Sequence, residues 1–236
     1  MTGFVAGTLV HTDKGLVPIQ EIKVGDIVLS RPEWGGKDAL IDYKCVTRAF
    51  CSGEELIYRL VLWDSDVEYI QGAKLKVKVL LVSENHLIWV ESDKDWVPTY
   101  MLDACNGEAL FSYNFNKLFA TVSVYPVLKV DKYHINSNKE SLIDLSKVGF
   151  CCVDKQRETD MIILNRIEGI QVFSDSCWQN YYDFSYEYSV IPRKDIDYLN
   201  SLDLSSNGIL SANVYNLEVQ DFHTYFIGED GIWVHQ

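Results

Sequence analysis

A chain of 236 residues is long enough for one large all-β domain or two small ones. Hydrophobic residues at 47% and aromatics at 13% supply a packed core, which excludes global disorder. A formal charge of -13, spread along the chain as a solubilising surface, excludes nucleic acid and anionic membranes as expected partners.

No apolar run approaches the roughly 20 residues that span a bilayer, and no secretion signal precedes the first β-rich stretch. Cys45, Cys51, Cys105, Cys151, Cys152 and Cys177 form neither a C-x-x-C pair nor a zinc-ligand spacing. Most read as reduced, half-buried small hydrophobes, and the sequence offers no metal site.

Phe4 to Val10 reads as a strand, and Thr12-Asp-Lys-Gly15 as a turn with glycine in its last place. Val17 to Ile22 leads through a second turn at Val24-Gly25 to a strand ending at Leu29. Arg31 to Ala39 is a loop broken by Pro32 and Gly35-Gly36. Leu56 to Leu62 is apolar and β-rich, and Lys74 to Leu80 alternates at period two, the pattern of a strand with one wet face. That strand runs on to Ser83-Glu-Asn-His86 and a second strand, Leu87 to Glu91. A turn and short segment over Trp96 to Leu102 come next, then a strand over Thr121 to Val130.

Residues 131–212 are richer in Asn, Ser, Asp and Tyr, have mixed periodicity and read as an insertion with no single assigned structure. Ile162 to Val172 fits strand or helix, and Arg193 to Leu204 has a partly helical pattern. Alternation returns at Val214, setting Val214, Asn216 and Glu218 against Tyr215, Leu217 and Val219. The same alternation puts Asp221 and His223 on one face of an extended segment. Gly228-Glu-Asp-Gly231 makes a tight hairpin turn into a last strand, Ile232 to His235. No repeat of fixed period is visible. His11 and His134 read as surface residues, and Trp89, Trp96 and Trp233 as core or rim aromatics.

Three blocks in order, Gly3 to Ser30, Val82 to Val90 with Trp96-Val-Pro98, and Val214 to Gln236, together resemble the Hint family. That family comprises inteins, bacterial intein-like domains and hedgehog autoprocessing domains, and the nearest likeness is to the Hint module that precedes toxins in bacterial polymorphic toxins. The blocks assign residues 3–130 and 213–236 to the Hint domain. The resemblance implies an all-β horseshoe with pseudo-twofold symmetry, its N- and C-termini meeting in a central cleft.

Two departures bear on chemistry. The family opens with a nucleophilic Cys or Ser that attacks the preceding carbonyl, where this chain has Gly3. An acyl shift needs a thiolate or alkoxide, so Gly3 is an inactive nucleophile position and splicing is expected to be lost. The family usually ends in His-Asn, and here the pair is His235-Gln236. By resemblance, Ser83 and His86 match the Thr-x-x-His block, His86 protonating the amine of the N-terminal scissile bond and Ser83 holding the same peptide. Imidazole suits that task because it gives and takes protons near neutral pH. Asp221 and His223 would assist the steps at the two ends, and His235 would hold the C-terminal scissile carbonyl.

A side-chain amide at Gln236 can attack its own main-chain carbonyl, close a cyclic imide and release the downstream chain. Gln closes a six-membered ring with one more rotor to freeze than Asn. That costs on the order of 1 kcal/mol of side-chain entropy, about tenfold in rate.

The expectation is single-turnover autoprocessing without cofactor. The substrates are covalently attached N- and C-terminal flanking segments, the latter a passenger such as a toxin. The expected molecule is a monomer, one piece of a larger exported or surface-delivered bacterial protein. An inert Hint scaffold or interaction module ahead of a passenger is the alternative. A sterol transferase is a distant third, since it requires the thioester that Gly3 denies.

Overall fold

The computed structural model describes residues 2–36, 38–64, 77–102, 109–112, 117–129, 136–137, 148–152, 159–165, 170–175, 188–189 and 208–236. Among these, regular structure is β-strand with short 3-10 turns, Ile19–Glu21 and Thr99–Met101 among them, and no α-helix. The first half holds β1 (Phe4–Val5), β2 (Leu9–Thr12), β3 (Gly15–Pro18), β4 (Ile27–Ser30), the 23-residue β5 (Asp42–Asp64) and β6 (Val77–Ser83). Then come β7 (Leu87–Val90), β8 (Asp95–Pro98), β9 (Ala109–Ser112), β10 (Lys117–Pro126) and β11 (Leu128–Lys129). β12 (Asn136–Ser137), β13 (Val148–Cys152), β14 (Thr159–Asn165), β15 (Ile170–Asp175) and β16 (Tyr188–Ser189) precede the closing β17 (Ser211–Val219), β18 (Thr224–Ile227) and β19 (Ile232–His235).

One 13-stranded antiparallel sheet carries everything that positions the site, along the path β10-β9-β7-β19-β18-β2-β4-β5-β17-β1-β6. Strands from opposite ends of the chain are neighbours on this path. β1 pairs with β17 through Phe4↔Tyr215 and Val5↔Val214, and β18 meets β2 through Ile227↔Val10. Within 131–212, β13, β14 and β15 join β11 in a four-stranded sheet, and β12 pairs with β16. In Ile162 to Val172, equally compatible with strand and helix by pattern, residues 162–165 are strand in β14 and residues 170–172 strand in β15, and residues 166–169 lie outside the described residues. Arg193 to Leu204 and the first residues of Lys74 to Leu80 lie outside the described residues.

The expected single strand from Phe4 to Val10 is two strands, because Gly7 takes φ 88 between them, a conformation glycine alone adopts freely. The turn at Thr12 forms as expected: Gly15 has φ 101, and the Thr12 hydroxyl donates to the Gly15 carbonyl at 2.7 Å.

A structural repeat underlies the two halves although no sequence period shows it. Gly15-Leu-Val-Pro-Ile-Gln-Glu-Ile22 and Asp95-Trp-Val-Pro-Thr-Tyr-Met-Leu102 share only Val-Pro. In both, proline ends a hairpin strand and caps a 3-10 turn, Pro18 at φ -58 and Pro98 at φ -65. Ile22 N–H donates to Ile19 O at 3.3 Å and Leu102 N–H to Thr99 O at 3.1 Å, and both side chains are buried. The turn then ties back to the residue before its own hairpin: Ile19 N–H to Thr8 O at 2.8 Å, Thr99 N–H to His86 O at 2.9 Å. His86 therefore occupies the place in one half that Thr8 occupies in the other.

The core runs continuously across the join. Phe4, Val10, Ile88, Leu217, Tyr225 and Val234 belong to one buried cluster, and Leu29, Trp89, Phe226 and Trp233 form a second. Burial of such aromatics contributes about 1.5–3 kcal/mol each. Alternation along β17 breaks at Asn216 and Leu217, which are both buried. Asn216 is tolerated there because its Oδ1 accepts from the Tyr225 hydroxyl at 2.7 Å and the Leu217 N–H at 2.8 Å.

Candidate functional site

Gly228 and Gly231, both at φ 69, close the β18–β19 hairpin as the sequence predicts. The hairpin brings β19 back beside β18 with Thr224↔His235 in register. One further ladder bond, from Gln236 N–H to His223 O at 3.0 Å, carries the pairing past the last strand residue. Gln236 is thus fixed by its backbone before its side chain makes any contact.

Its amide is held at both ends. Oε1 accepts from the Val219 N–H at 2.7 Å, and Nε2 lies 2.8 Å from His223 Nδ1. The Val219 N–H can only donate, so the atom facing it is Oε1, and the amide nitrogen faces His223. His223 Nδ1 must then accept, which places the proton of a neutral ring on Nε2. A register shift supplies the first of these contacts. Between Glu218 and Val219 the β17–β5 pairing skips Thr47, and the Val219 N–H is turned to Gln236.

His223 sits where it does because Gln220 to His223 is a turn. Asp221 has φ 63 and His223 φ 59, and Phe222 N–H donates to Gln220 O at 2.7 Å. This corrects the expectation of an extended segment with Asp221 and His223 on one face. The Asp221 carboxylate is exposed, 3.9 Å from the Lys44 ammonium. Lys44 in turn lies 4.3 Å over the Phe222 ring.

His235 binds the Gln236 main-chain oxygen through Nδ1 at 3.0 Å. Its other nitrogen, Nε2, is 2.7 Å from the carboxylate of Glu33, a residue of the Arg31 to Ala39 loop that sequence reasoning did not single out. The Trp96 ring packs edge-on against the imidazole, centroids 5.2 Å apart.

At the other end, Gly3 and Ser83 bond reciprocally. Gly3 N–H donates to Ser83 Oγ at 2.9 Å, and Ser83 N–H to Gly3 O at 2.9 Å. The Ser52 hydroxyl donates to the Thr2 carbonyl at 3.4 Å. The Thr2–Gly3 peptide is therefore held on both sides. There is no room for a side chain: a Cβ on Gly3 would lie 2.2 Å from the Tyr215 carbonyl oxygen.

His86 joins the two ends. Its ring is fully buried, edge-on to Phe4 at 4.4 Å, and neither ring nitrogen meets hydrogen-bond geometry with a partner. Burial pushes its pKa down to about 3, helped by the charge of His235 and opposed by the nearby His235 main chain. His11, expected on the surface, is half-buried, with Nε2 2.8 Å from Gly228 O. Among the described residues no group of three metal-ligating side chains converges.

The depressed value has a sign. Below the 6.5 of a free imidazole the unfolded chain takes up a proton that folded His86 refuses, so stability falls as pH drops from 6.5 toward about 3. His86→Leu should flatten the fall in Tm between about pH 7 and pH 4, as read by circular dichroism. His11, also lowered by burial, is unchanged in that comparison. Equal slopes would show that His86 is not held neutral.

A solved structure shares this architecture. A bacterial intein-like domain from Clostridium thermocellum aligns over 100% of this chain and 99% of its own, at 17% identity and a TM-score of 0.51. A DnaB intein from Synechocystis sp. PCC 6803 aligns over 100% of this chain and 98% of its own, at 11% identity and a TM-score of 0.49. No family model and no curated protein matches the sequence. The chain has the Hint fold, all-β and antiparallel.

Proposed function

We propose that this domain cleaves the peptide bond after Gln236 in a single turnover and frees a C-terminal passenger. The observation that carries the reading is the Gln236 amide, held between the Val219 N–H and His223 Nδ1 while His235 binds the Gln236 main-chain oxygen. Gln236 Nε2 attacks the main-chain carbonyl carbon of its own residue. The new C–N bond closes a six-membered imide, and the bond to the next residue breaks. One amide proton passes to His223 Nδ1, and the leaving nitrogen gains one proton, so no water is consumed. His235 stabilises the charge that develops on the carbonyl oxygen. The Val219 N–H draws electron density from the amide oxygen and makes its N–H more acidic.

The N-terminal half of intein chemistry is lost in this reading. Ser83 still holds the Gly3 N–H and His86 is buried beside Phe4, but no nucleophile is present at Gly3. Asp221 acts on the Lys44 side of the turn rather than on the amide. The passenger is a toxin in the module this chain resembles, and the same is proposed here.

The closed space at Gly3 also favours a second reading, an inert scaffold ahead of a passenger. One experiment separates them. A folded passenger fused after Gln236 is followed by intact mass at neutral pH. Release, with the domain lighter by one water than the hydrolysed fragment, supports imide formation. A passenger that stays attached through long incubation sinks the cleavage reading.

A further inference from the structure

We infer that Glu33 is a positioning residue for the C-terminal step, holding the His235 ring so that both its nitrogens donate. The inference rests on the cleavage reading above and names a residue that reading does not require.

Both partners of His235 can only accept. Nε2 faces a Glu33 carboxylate oxygen at 2.7 Å, and Nδ1 faces the Gln236 main-chain oxygen at 3.0 Å. A ring with one proton can serve only one of them; a ring with two serves both. The carboxylate supplies the negative charge that a doubly protonated ring needs in a partly buried place. His86, a second titratable group beside His235, is held neutral by burial and offers no such charge.

Glu33 is itself fixed. Its N–H donates to Phe222 O at 3.2 Å, and its carbonyl accepts from Trp96 Nε1 at 3.4 Å. The first bond ties it to the turn that carries His223, the second to the ring that packs on His235. The loop is anchored at its root as well: the Ser30 hydroxyl donates to Thr224 O at 2.6 Å, and Thr224 pairs with His235 across the hairpin.

The two histidines then have opposite tasks set by their partners. His223 presents a bare nitrogen to an amide N–H, and His235 presents an N–H to a carbonyl oxygen. A carboxylate that orients a metal-ligating imidazole is worth about 10- to 100-fold when removed, and an effect of the same order is expected here. Glu33 touches none of the reacting atoms and acts through His235.

Two measurements test this. In the 236-residue chain with its terminal carboxyl amidated, so that residue 236 offers His235 a neutral carbonyl oxygen as it does in the fusion, and with its histidines 15N-labelled, the His235 ring, assigned by its loss in His235→Gln, should show two protonated nitrogens, and His223 a bare Nδ1. Glu33→Gln should leave His235 with one bare nitrogen. In the passenger fusion, Glu33→Gln should slow release about 10- to 100-fold, with Glu33→Asp recovering part of the rate. A bare nitrogen on His235 in the parent chain would overturn the inference, as would unchanged release from Glu33→Gln. If the parent fusion never cleaves but the ring signature stands, the cleavage reading falls and the Glu33–His235 pairing survives.

Discussion

A passenger fused after Gln236 leaves the parent domain, stays attached in Gln236→Glu, and leaves His223→Asn about 10²- to 10⁴-fold more slowly, the range a positioned general base contributes. Gln236→Glu is close to isosteric. One carboxylate oxygen can still accept the Val219 N–H, which lies 2.7 Å from Oε1. The other replaces the nitrogen that faces His223 at 2.8 Å, so no nucleophilic nitrogen is left to close an imide. Release should be absent within the lifetime of the sample while the fold is kept. Asn is the right replacement at His223, because the φ of 59 there disfavours most side chains and Asn tolerates it. Gln236 then keeps its backbone bond to residue 223 and its Val219 contact, and only the proton acceptor goes. Intact mass against time gives both rates, and thermal unfolding checks that the hairpin is unchanged. Full-rate release from His223→Asn would remove His223 from the mechanism, and release from Gln236→Glu would mean that the side-chain nitrogen, and so imide formation, is not required.

These two substitutions fall on residues that sequence alone brings forward. His235-Gln236, Asp221-Phe-His223 and Ser83-x-x-His86 lie within short stretches whose spacing is visible in the chain. The Gly228–Gly231 hairpin that returns one stretch to the other is written in turn chemistry. The features that were not legible depend on distance or on backbone. Glu33 lies 202 residues from His235 in a loop marked only by Pro32 and glycines. The Val219 N–H is available because of a pairing shift opposite Thr47, and no side chain announces that. Alternation misplaced Asp221 because period-two reasoning assumes extended backbone, and the turn at Gln220–His223 breaks it. The two-fold symmetry came only through the resemblance, and no sequence period shows it because only Val-Pro recurs between Gly15–Ile22 and Asp95–Leu102. Its hydrogen bonds are main-chain to main-chain and place few demands on side-chain identity.

Gly3 is where the sequence reading and the structure lead to different experiments. By resemblance, Gly3→Cys would restore the missing nucleophile. The structure predicts instead that it unseats the first strand. A Cβ there would lie 2.2 Å from the Tyr215 carbonyl oxygen and 2.8 Å from its carbon, backbone atoms that cannot rotate away. β1 must lift from β17, which breaks the reciprocal Gly3–Ser83 pair and pulls Phe4, 0% exposed, away from His86 and Tyr225. Overpacking costs about 1–3 kcal/mol, and two lost hydrogen bonds add about 1 kcal/mol each. For a chain this long each kcal/mol moves Tm by about 2–4 °C, so a drop of about 6–20 °C is expected. Gly3→Ala carries the same Cβ without the thiol and should lose as much, which separates crowding from sulfur chemistry. Scanning calorimetry of the three chains reads the shift. An upstream passenger on Gly3→Cys, challenged with a small thiol, reads whether a thioester forms. An unchanged Tm together with thiol-dependent release would mean that β17 yields to a side chain at position 3, and that the N-terminal step is absent only for want of a nucleophile.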